Sequence, residues 1–452
     1  MRPAAGLAVV GLGASLAPLD IAVNIALPAI SARFGLALGD VQWLVICYVL
    51  VYGSLMLVCG KLGDLFGHRL IFRVGMLASA LGCAACAAAP DWPLFLWARA
   101  GQGVGTALAL SCAPALATSL FPESRRTRAL SAFVTAQAIA AAVGPLLGGA
   151  LVQVWDWSAV FWMRVPVALL ALAFSGILPS PPPDERRFDG WGAALLACTM
   201  SAFLLALALV QRPAMPLQWP AGLAIVAAAG AISFVRRENR FAEPHLRPAL
   251  FADPDFAVPN AMNVLANLAA FSILLLTPYY LLQGLGLSPV LGGLLLAISF
   301  AGGMTGAPLA ALVVPRFGPR PVAFGGLLLM LLALFAMGFS TRMTPLWIVL
   351  TLLFVEGVGN GLLNVAYTDI VTGTLARRDR GVAGSLSLLT RTLGVVSGAA
   401  ALTALHANGA AGALGADSFM AGYRFAFQVS AGGVLAALAA SCVLWPGAWF
   451  RR

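Results

Sequence analysis

Long apolar stretches, separated by short polar or basic segments, run through this chain from end to end. About 20 apolar residues in a helix span the hydrocarbon core of a bilayer, so the stretches read as membrane-crossing helices. They predict fourteen spans: 6–29, 41–59, 70–88, 93–118, 129–152, 158–178, 190–210, 217–235, 256–283, 288–313, 321–339, 345–371, 382–406 and 425–446. The apolarity is continuous and does not alternate with period two, which argues for helices and against a β-barrel. The fold class expected is an all-α polytopic membrane protein. The first stretch continues through Asp20 and Asn24 to Pro28. That is too long for the apolar region of a cleaved signal peptide, so it counts as the first span.

Composition agrees. Hydrophobic residues make up 61% of the 452, and only 10% are Asp, Glu, Lys or Arg, against about 25% in soluble domains. The net charge of +10 would suggest nucleic-acid binding in a soluble chain. Here it reads as loops held on the cytoplasmic side. Of the 27 basic residues, four (Arg33, Arg212, Arg342 and Arg424) fall in loops opposite the N-terminus. Three (Arg99, Arg164 and Arg391) lie within spans, and the other twenty share the side of both termini. The asymmetry predicts cytoplasmic termini. Seven cysteines lie mostly in apolar runs, Cys83-x-x-Cys86 among them, with no accompanying His or Cys cluster. They read as small core residues, and no metal site is expected.

Three short patterns recur at similar offsets. Phe66-Gly67-His68-Arg69 returns as Phe317-Gly318-Pro319-Arg320. Gly101-Gln102-Gly103-Val104-Gly105 returns as Gly357-Val358-Gly359-Asn360-Gly361, and Gly144-Pro145-Leu146-Leu147-Gly148 as Gly394-Val395-Val396-Ser397-Gly398. The simplest architecture is a six-helix bundle over 1–180, a cytoplasmic linker with two extra spans over 181–250, and a second six-helix bundle over 251–452. Repeats of this kind place a substrate site near the bilayer midplane at the repeat interface.

An ionisable side chain inside a span is costly and marks a functional position. Asp20 lies about 21 Å in from the cytoplasmic end of its span, at about 1.5 Å per residue. Arg99 lies about 9 Å in from the outer end of its own, by the same rise. In a core about 30 Å thick the two depths coincide, so Asp20 and Arg99 are expected to be neighbours. A nearby Arg favours the ionised carboxylate and desolvation the protonated one. A cycle that changes wetting or separation would therefore move a proton; a static buried ion pair is the alternative. Glu356 and Arg391 also fall near the midplane. Glu356 has three open roles: binding a cationic group, carrying a second proton, or pairing with Arg391. Asn24, Asn260, Asn263, Asn267, Tyr279, Tyr280, Gln283, Asn360 and Asn364 are candidate cavity residues, with helix-to-helix hydrogen bonding as the other role. Asp369 is a candidate gate or cap.

These residues resemble the major facilitator superfamily and, within it, the 14-span drug:proton antiporters. Gly60-Lys61-Leu62-Gly63-Asp64-Leu65-Phe66-Gly67-His68-Arg69 matches the superfamily loop motif between the second and third spans. Its glycines permit a tight turn, Asp64 can face the positive end of a helix, and Arg69 supplies an opposing charge. The resemblance implies a cytoplasmic gate built on Gly60, Asp64, Gly67 and Arg69. The run Leu19-Asp20 to Pro28 is similar to the first-span antiporter motif, and Leu96 to Gly103 to the fourth-span arginine motif. Gly144, Pro145, Gly148 and Gly149 are similar to the fifth-span antiporter motif, with ordinary helix packing as its other reading. Two departures stand out. Trp155-Asp156-Trp157 and Arg164-Val165-Pro166 replace the polar positions of the family signature near the sixth span, and Val314-Pro315-Arg316-Phe317-Gly318 lacks the loop aspartate.

The resemblance implies a secondary active transporter of the inner (plasma) membrane, working by proton-coupled antiport. Its cargo would be small amphiphilic or cationic compounds. The buried charges Asp20, Arg99, Glu356 and Arg391 are the candidates for proton coupling, Glu356 on its depth in the span and not on the resemblance. The alternative is a proton-coupled permease dedicated to one metabolite class. A membrane sensor is disfavoured because no long loop offers a signalling domain. Catalysis is not expected, since His68, His245 and His406 are scattered and no nucleophile–base set stands out. No cofactor is implied; the expected partners are a small molecule, protons and the bilayer, with no nucleic acid and a monomeric chain.

Overall fold

The computed structural model describes residues 3–121, 126–179, 190–210, 215–238, 251–374, 380–411 and 416–450, which hold helices and no strands. The first apolar stretch is a broken helix: α1 (Pro3–Ala14), α2 (Leu16–Leu19) and α3 (Ala22–Phe34). The part ending at Leu19 meets α3 at 42°. Pro18 has no N–H to continue the helical ladder. Asp20 and Ile21 are left in the break, their N–H groups donating to Ala17 and Pro18 three residues back.

The chain continues with α4 (Leu38–Phe66), α5 (His68–Ala87), α6 (Trp92–Ser119), α7 (Arg126–Val154), α8 (Ala159–Trp162) and α9 (Arg164–Phe174). Asp156 explains the start of α8: its carboxylate accepts from the backbone N–H of Ser158 at 2.7 Å. Then come α10 (Gly190–Val210) and α11 (Gln218–Glu238). The later part begins with α12 (Pro254–Leu275) and α13 (Thr277–Tyr279), followed by a π-helical turn (Tyr280–Gly284). It ends with α14 (Pro289–Phe317), α15 (Pro319–Met337), α16 (Leu346–Thr374), α17 (Arg380–Ala410), α18 (Ala416–Leu444) and α19 (Gly447–Phe450).

Contacts divide the chain into two compact units. The first holds α1–α9, α10 through Ala206, α11 through Phe234, and residues 288–293 at the start of α14. The second holds the remaining helices. Within the first, α6 packs on both α4 and α5, and α3 on α7. Within the second, α15 packs on α16, and α17 on α12 and α18. Both units keep large apolar side chains on their outer surfaces, among them Leu81, Trp97, Ile225, Leu312 and Phe354, as lipid contact requires.

The repeat seen in the sequence has a backbone counterpart. Gly67 joins α4 to α5 with φ 91°, and Gly318 joins α14 to α15 with φ 84°. Both angles lie where a side chain would be strained, which accounts for glycine at the two equivalent corners.

Ten described helices are long and apolar enough to cross a membrane, or eleven when the broken first helix is taken as one span. This falls short of the fourteen expected. The intervals that miss the criterion are occupied by α6, α10 and α17. For α6 and α17 the reason lies in their polar content: α6 carries Arg99, Gln102, Thr106 and Ser111, and α17 carries Arg391 with several serines and threonines. Of α10 the described apolar stretch is Gly190–Phe203, shorter than the criterion asks.

Candidate functional site

Asp20 sits in the break of the first helix, where it can be approached from more than one direction. Arg99 of α6 grips it with two terminal nitrogens: Nη1 donates to Oδ1 at 2.8 Å and Nη2 to Oδ2 at 2.9 Å. Arg99 is itself anchored, with Nε donating to the Leu44 carbonyl at 3.2 Å and Nη1 to Gln102 Oε1 at 2.7 Å. The Gln102 amide turns back to donate to Asp20 Oδ1 at 3.4 Å. The Cys86 thiol lies against the same Gln102 oxygen, Sγ–Oε1 3.8 Å.

A second cation completes the cluster. Arg164, the first residue of α9, donates through Nη1 to Asp20 Oδ1. Its Nε donates to the Val160 carbonyl at 3.2 Å. Arg164 is 0% exposed, Arg99 1% and Asp20 13%. Arg164 Nη2 is buried with no hydrogen-bond partner among the described residues. Aromatic faces hold both guanidiniums: Arg99 lies 4.4 Å from the Tyr48 ring centroid and Arg164 4.9 Å from that of Phe161. Phe161 in turn packs edge-on against Phe95. Two buried guanidiniums thus share one carboxylate. A proton reaching Asp20 must displace or loosen a cation, and a lost contact to Asp20 leaves a buried positive charge behind.

Sequence reasoning placed Asp20 beside Arg99 but did not bring in Arg164 or Gln102. The signal was available. Arg164 lies six residues inside the start of its expected span, 158–178, as Arg99 does in 93–118.

α7 packs directly on the break. A Cβ on Gly148 would lie 2.7 Å from the Ala22 carbonyl oxygen, whereas one on Gly144 would keep 3.5 Å from the Ala22 nitrogen. Pro145 lies between them, and Gly149 follows within α7. Asn24 is buried and donates to the Ile21 carbonyl at 3.0 Å, bridging the break on its own helix. In the loop motif, Gly60 lies near the end of α4, Gly67 makes the corner and Arg69 is half-buried on α5. The side chain of Asp64 lies outside the described residues.

The second unit holds the remaining candidates. Glu356 on α16 is 2% exposed. The Ser299 hydroxyl of α14 donates to its Oε2 at 2.6 Å. Arg391 is not its partner: it lies on an exposed face of α17, while its neighbours Thr390 and Thr392 are buried. The expected option of a Glu356–Arg391 pair is therefore corrected, because equal depth does not fix which way a helix turns a side chain. Asn263 is buried and donates to Thr390 Oγ1 across α12 and α17 at 2.9 Å. Tyr367 donates to Asn260 Oδ1 at 2.7 Å in the same network. Asn267 donates to the Asn263 carbonyl at 2.8 Å. These are bonds between and along helices. Tyr279 is buried with its ring near Phe419, and Tyr280 donates to the Thr341 carbonyl at 2.9 Å. Gln283 and Asn364 are exposed and Asn360 is half-buried. Asn364 donates to the Asn360 carbonyl at 2.9 Å, and Thr368 to that of Asn364 at 2.7 Å, so α16 carries one polar stripe. No group of residues suited to a metal ion occurs among the described residues.

Long apolar helices in two units, with ionisable groups buried inside them, define a polytopic membrane protein. The chain belongs to the Major Facilitator Superfamily, whose family model matches residues 5–236 and 261–448. It is 32% identical over 422 residues to the tetracenomycin C resistance and export protein of Streptomyces glaucescens, covering 90% of this chain and 76% of that one. It is 30% identical over 400 residues to the multidrug resistance protein Stp of Mycobacterium tuberculosis, covering 87% and 74%. Its fold is similar to that of a peptide transporter POT crystallised with sulfate, with TM-score 0.73, 16% identity, and 98% and 95% coverage. The chain is a membrane transporter and not an enzyme.

Proposed function

We propose that this transporter exports small amphiphilic or cationic molecules in exchange for protons, by alternating access. The observation that carries the reading is the Asp20 cluster: one carboxylate, 13% exposed, between two buried guanidiniums in a broken span. Protonating Asp20 releases it from Arg99 and Arg164, and deprotonating it draws them back. A conformational change that alters these contacts is thereby tied to proton movement. The export direction draws support from the resistance and export relatives and from Gly148, which lets α7 close on the break at Ala22. The exposed polar positions Gln283, Asn360 and Asn364 are offered as substrate contacts.

The proposed chain arrangement has fourteen spans, with the two helices over 190–238 inserted between two six-helix bundles. Both termini lie on the cytoplasmic side of a bacterial plasma membrane, and Gly60, Asp64, Gly67 and Arg69 form a gate there. The test uses energised inside-out vesicles carrying the protein. Cationic, zwitterionic and neutral compounds are added in turn while lumenal pH is followed. Proton efflux triggered by several unrelated cations is the expected result. A response to one compound class alone would replace this reading with a dedicated permease, and silence with every compound that binds would remove the antiport.

A further inference from the structure

Glu356 is a buried carboxylate that the Asp20 cluster does not use. Its one hydrogen-bond partner among the described residues is the Ser299 hydroxyl. Among the described residues, the helices packed against α16 bring no cation to it. Arg316, the only charged residue of α14, lies 17 residues beyond Ser299, about 25 Å along the helix. Arg320 at the start of α15 is bound to the carbonyls of Gly447 and Ala448 and lies 3.8 Å from Asp255 of α12. On α17, Arg391 is exposed and His406 lies against the Phe419 ring. Within α16 itself, Asp369 is exposed and Tyr367 is bonded to Asn260. An ionised carboxylate buried without a cation is costly, and a bound proton removes that cost.

The space around Glu356 sets what else could enter. α14 and α16 cross backbone to backbone at this level. A Cβ on Gly357, the residue after Glu356, would overlap the Ser299 carbonyl oxygen; one on Gly302 would overlap that of Phe354. One turn further on, a Cβ on Gly361 would lie 2.5 Å from the Gly303 carbonyl oxygen. No ammonium or larger cation fits between helices in such contact.

We infer that Glu356 and Ser299 form a second proton-binding site, closed to any larger cation by the glycine crossing of α14 on α16, and that its proton exchanges when the two helices part. The coupling role of this site rests on the proposed antiport; the binding of a proton there does not. Glu356 takes up a proton from water when the helices part towards the outside and donates it to water when they part towards the cytoplasm, with Ser299 holding the carboxyl in place.

Two readouts separate the claims. The first is modification by dicyclohexylcarbodiimide, an apolar reagent that adds to protonated carboxyl groups, followed by peptide mass spectrometry of the protein in proteoliposomes. Glu356 is expected to be labelled, more slowly as pH rises, and faster during turnover with a bound cation from the panel. An unlabelled Glu356 at every pH would overturn the site, and a rate indifferent to pH would also do so. The second is the proton-to-substrate ratio from the reversal potential, for wild type and Glu356→Gln. The glutamine keeps the shape and can accept from Ser299, so substrate affinity is expected within twofold and the ratio lower by one proton. An unchanged ratio overturns the coupling role of Glu356 while leaving the antiport intact. If wild type moves no protons with substrate, the antiport itself fails, and the labelling still decides whether Glu356 binds one.

Discussion

Asp20 and Glu356 are both carboxylates inside membrane helices, and their surroundings are opposite. Asp20 lies in a helix break, partly exposed, with two guanidiniums and an amide around it. Glu356 lies within an unbroken helix, almost fully buried, with one serine hydroxyl. At Asp20 a proton competes with cations already in place. At Glu356 it meets no competing cation among the described residues, and access is the obstacle. The same residue chemistry therefore yields a site governed by charge exchange in one unit and a site governed by helix separation in the other.

The contrast can be broken most severely at Asp20. Asp20→Asn removes the only anion that faces Arg99 and Arg164 among the described residues. Orphaning one partner of a buried pair costs roughly 3–5 kcal/mol, so a large fall in melting temperature in detergent is expected, along with loss of proton-driven transport. Adding Arg164→Gln to Asp20→Asn removes the surplus charge and should recover most of the lost stability but none of the transport. A double variant no more stable than the single one would mean that Arg164 is not electrostatically tied to Asp20.

The two arginines sharpen the picture next. Arg99 makes two bonds to Asp20 and two further anchoring bonds, whereas Arg164 makes one of each kind and has an unpartnered Nη2. Arg99→Gln should therefore lower the melting temperature more than Arg164→Gln. The reverse order would show that the packing of Arg164 on Phe161 outweighs the ion pairs.

A smaller effect is expected where α7 meets the break. Gly148→Ala forces a methyl group against the Ala22 carbonyl, and overpacking of this kind costs about 1–3 kcal/mol. Gly144→Ala has ordinary van der Waals clearance and should be close to neutral in both melting and transport assays. Equal tolerance of the two alanines would detach α7 from the Asp20 site. The smallest change is Tyr367→Phe, which removes the bond to Asn260; interhelical bonds of this type average about 0.6 kcal/mol. It should shift stability slightly and leave transport intact, because this network lies outside both carboxylate sites.

Much of this was legible in the sequence because membrane helices announce themselves by apolar length, and because the helical rise converts a residue number into a depth. Depth alone placed Asp20 beside Arg99. It failed for Arg391, which matches Glu356 in depth but points elsewhere: each step along a helix turns the side chain by about 100°, and that angle follows from packing. Arg164 has the same depth in its expected span as Arg99, but in the sequence it reads first as a departure from a family pattern. The span count was harder for the same reason the site exists. α6 carries polar groups that build the Asp20 cluster, and these lower its apolarity below that of a plain span. The crossing at Glu356 was hidden because glycine is abundant throughout, with 48 in the chain, and only the structure tells which of them let backbones touch.

The central claim is that Asp20 links proton movement to solute movement. It is tested most directly by comparing wild type with Asp20→Asn in two modes, in proteoliposomes loaded with a cation that the wild type transports. One mode is counterflow, which exchanges solute without net proton movement. The other is uphill accumulation driven by a pH gradient. The account predicts that the folded Asp20→Asn protein retains counterflow and loses accumulation. Asp20→Asn protein that still concentrates solute against its gradient would contradict it.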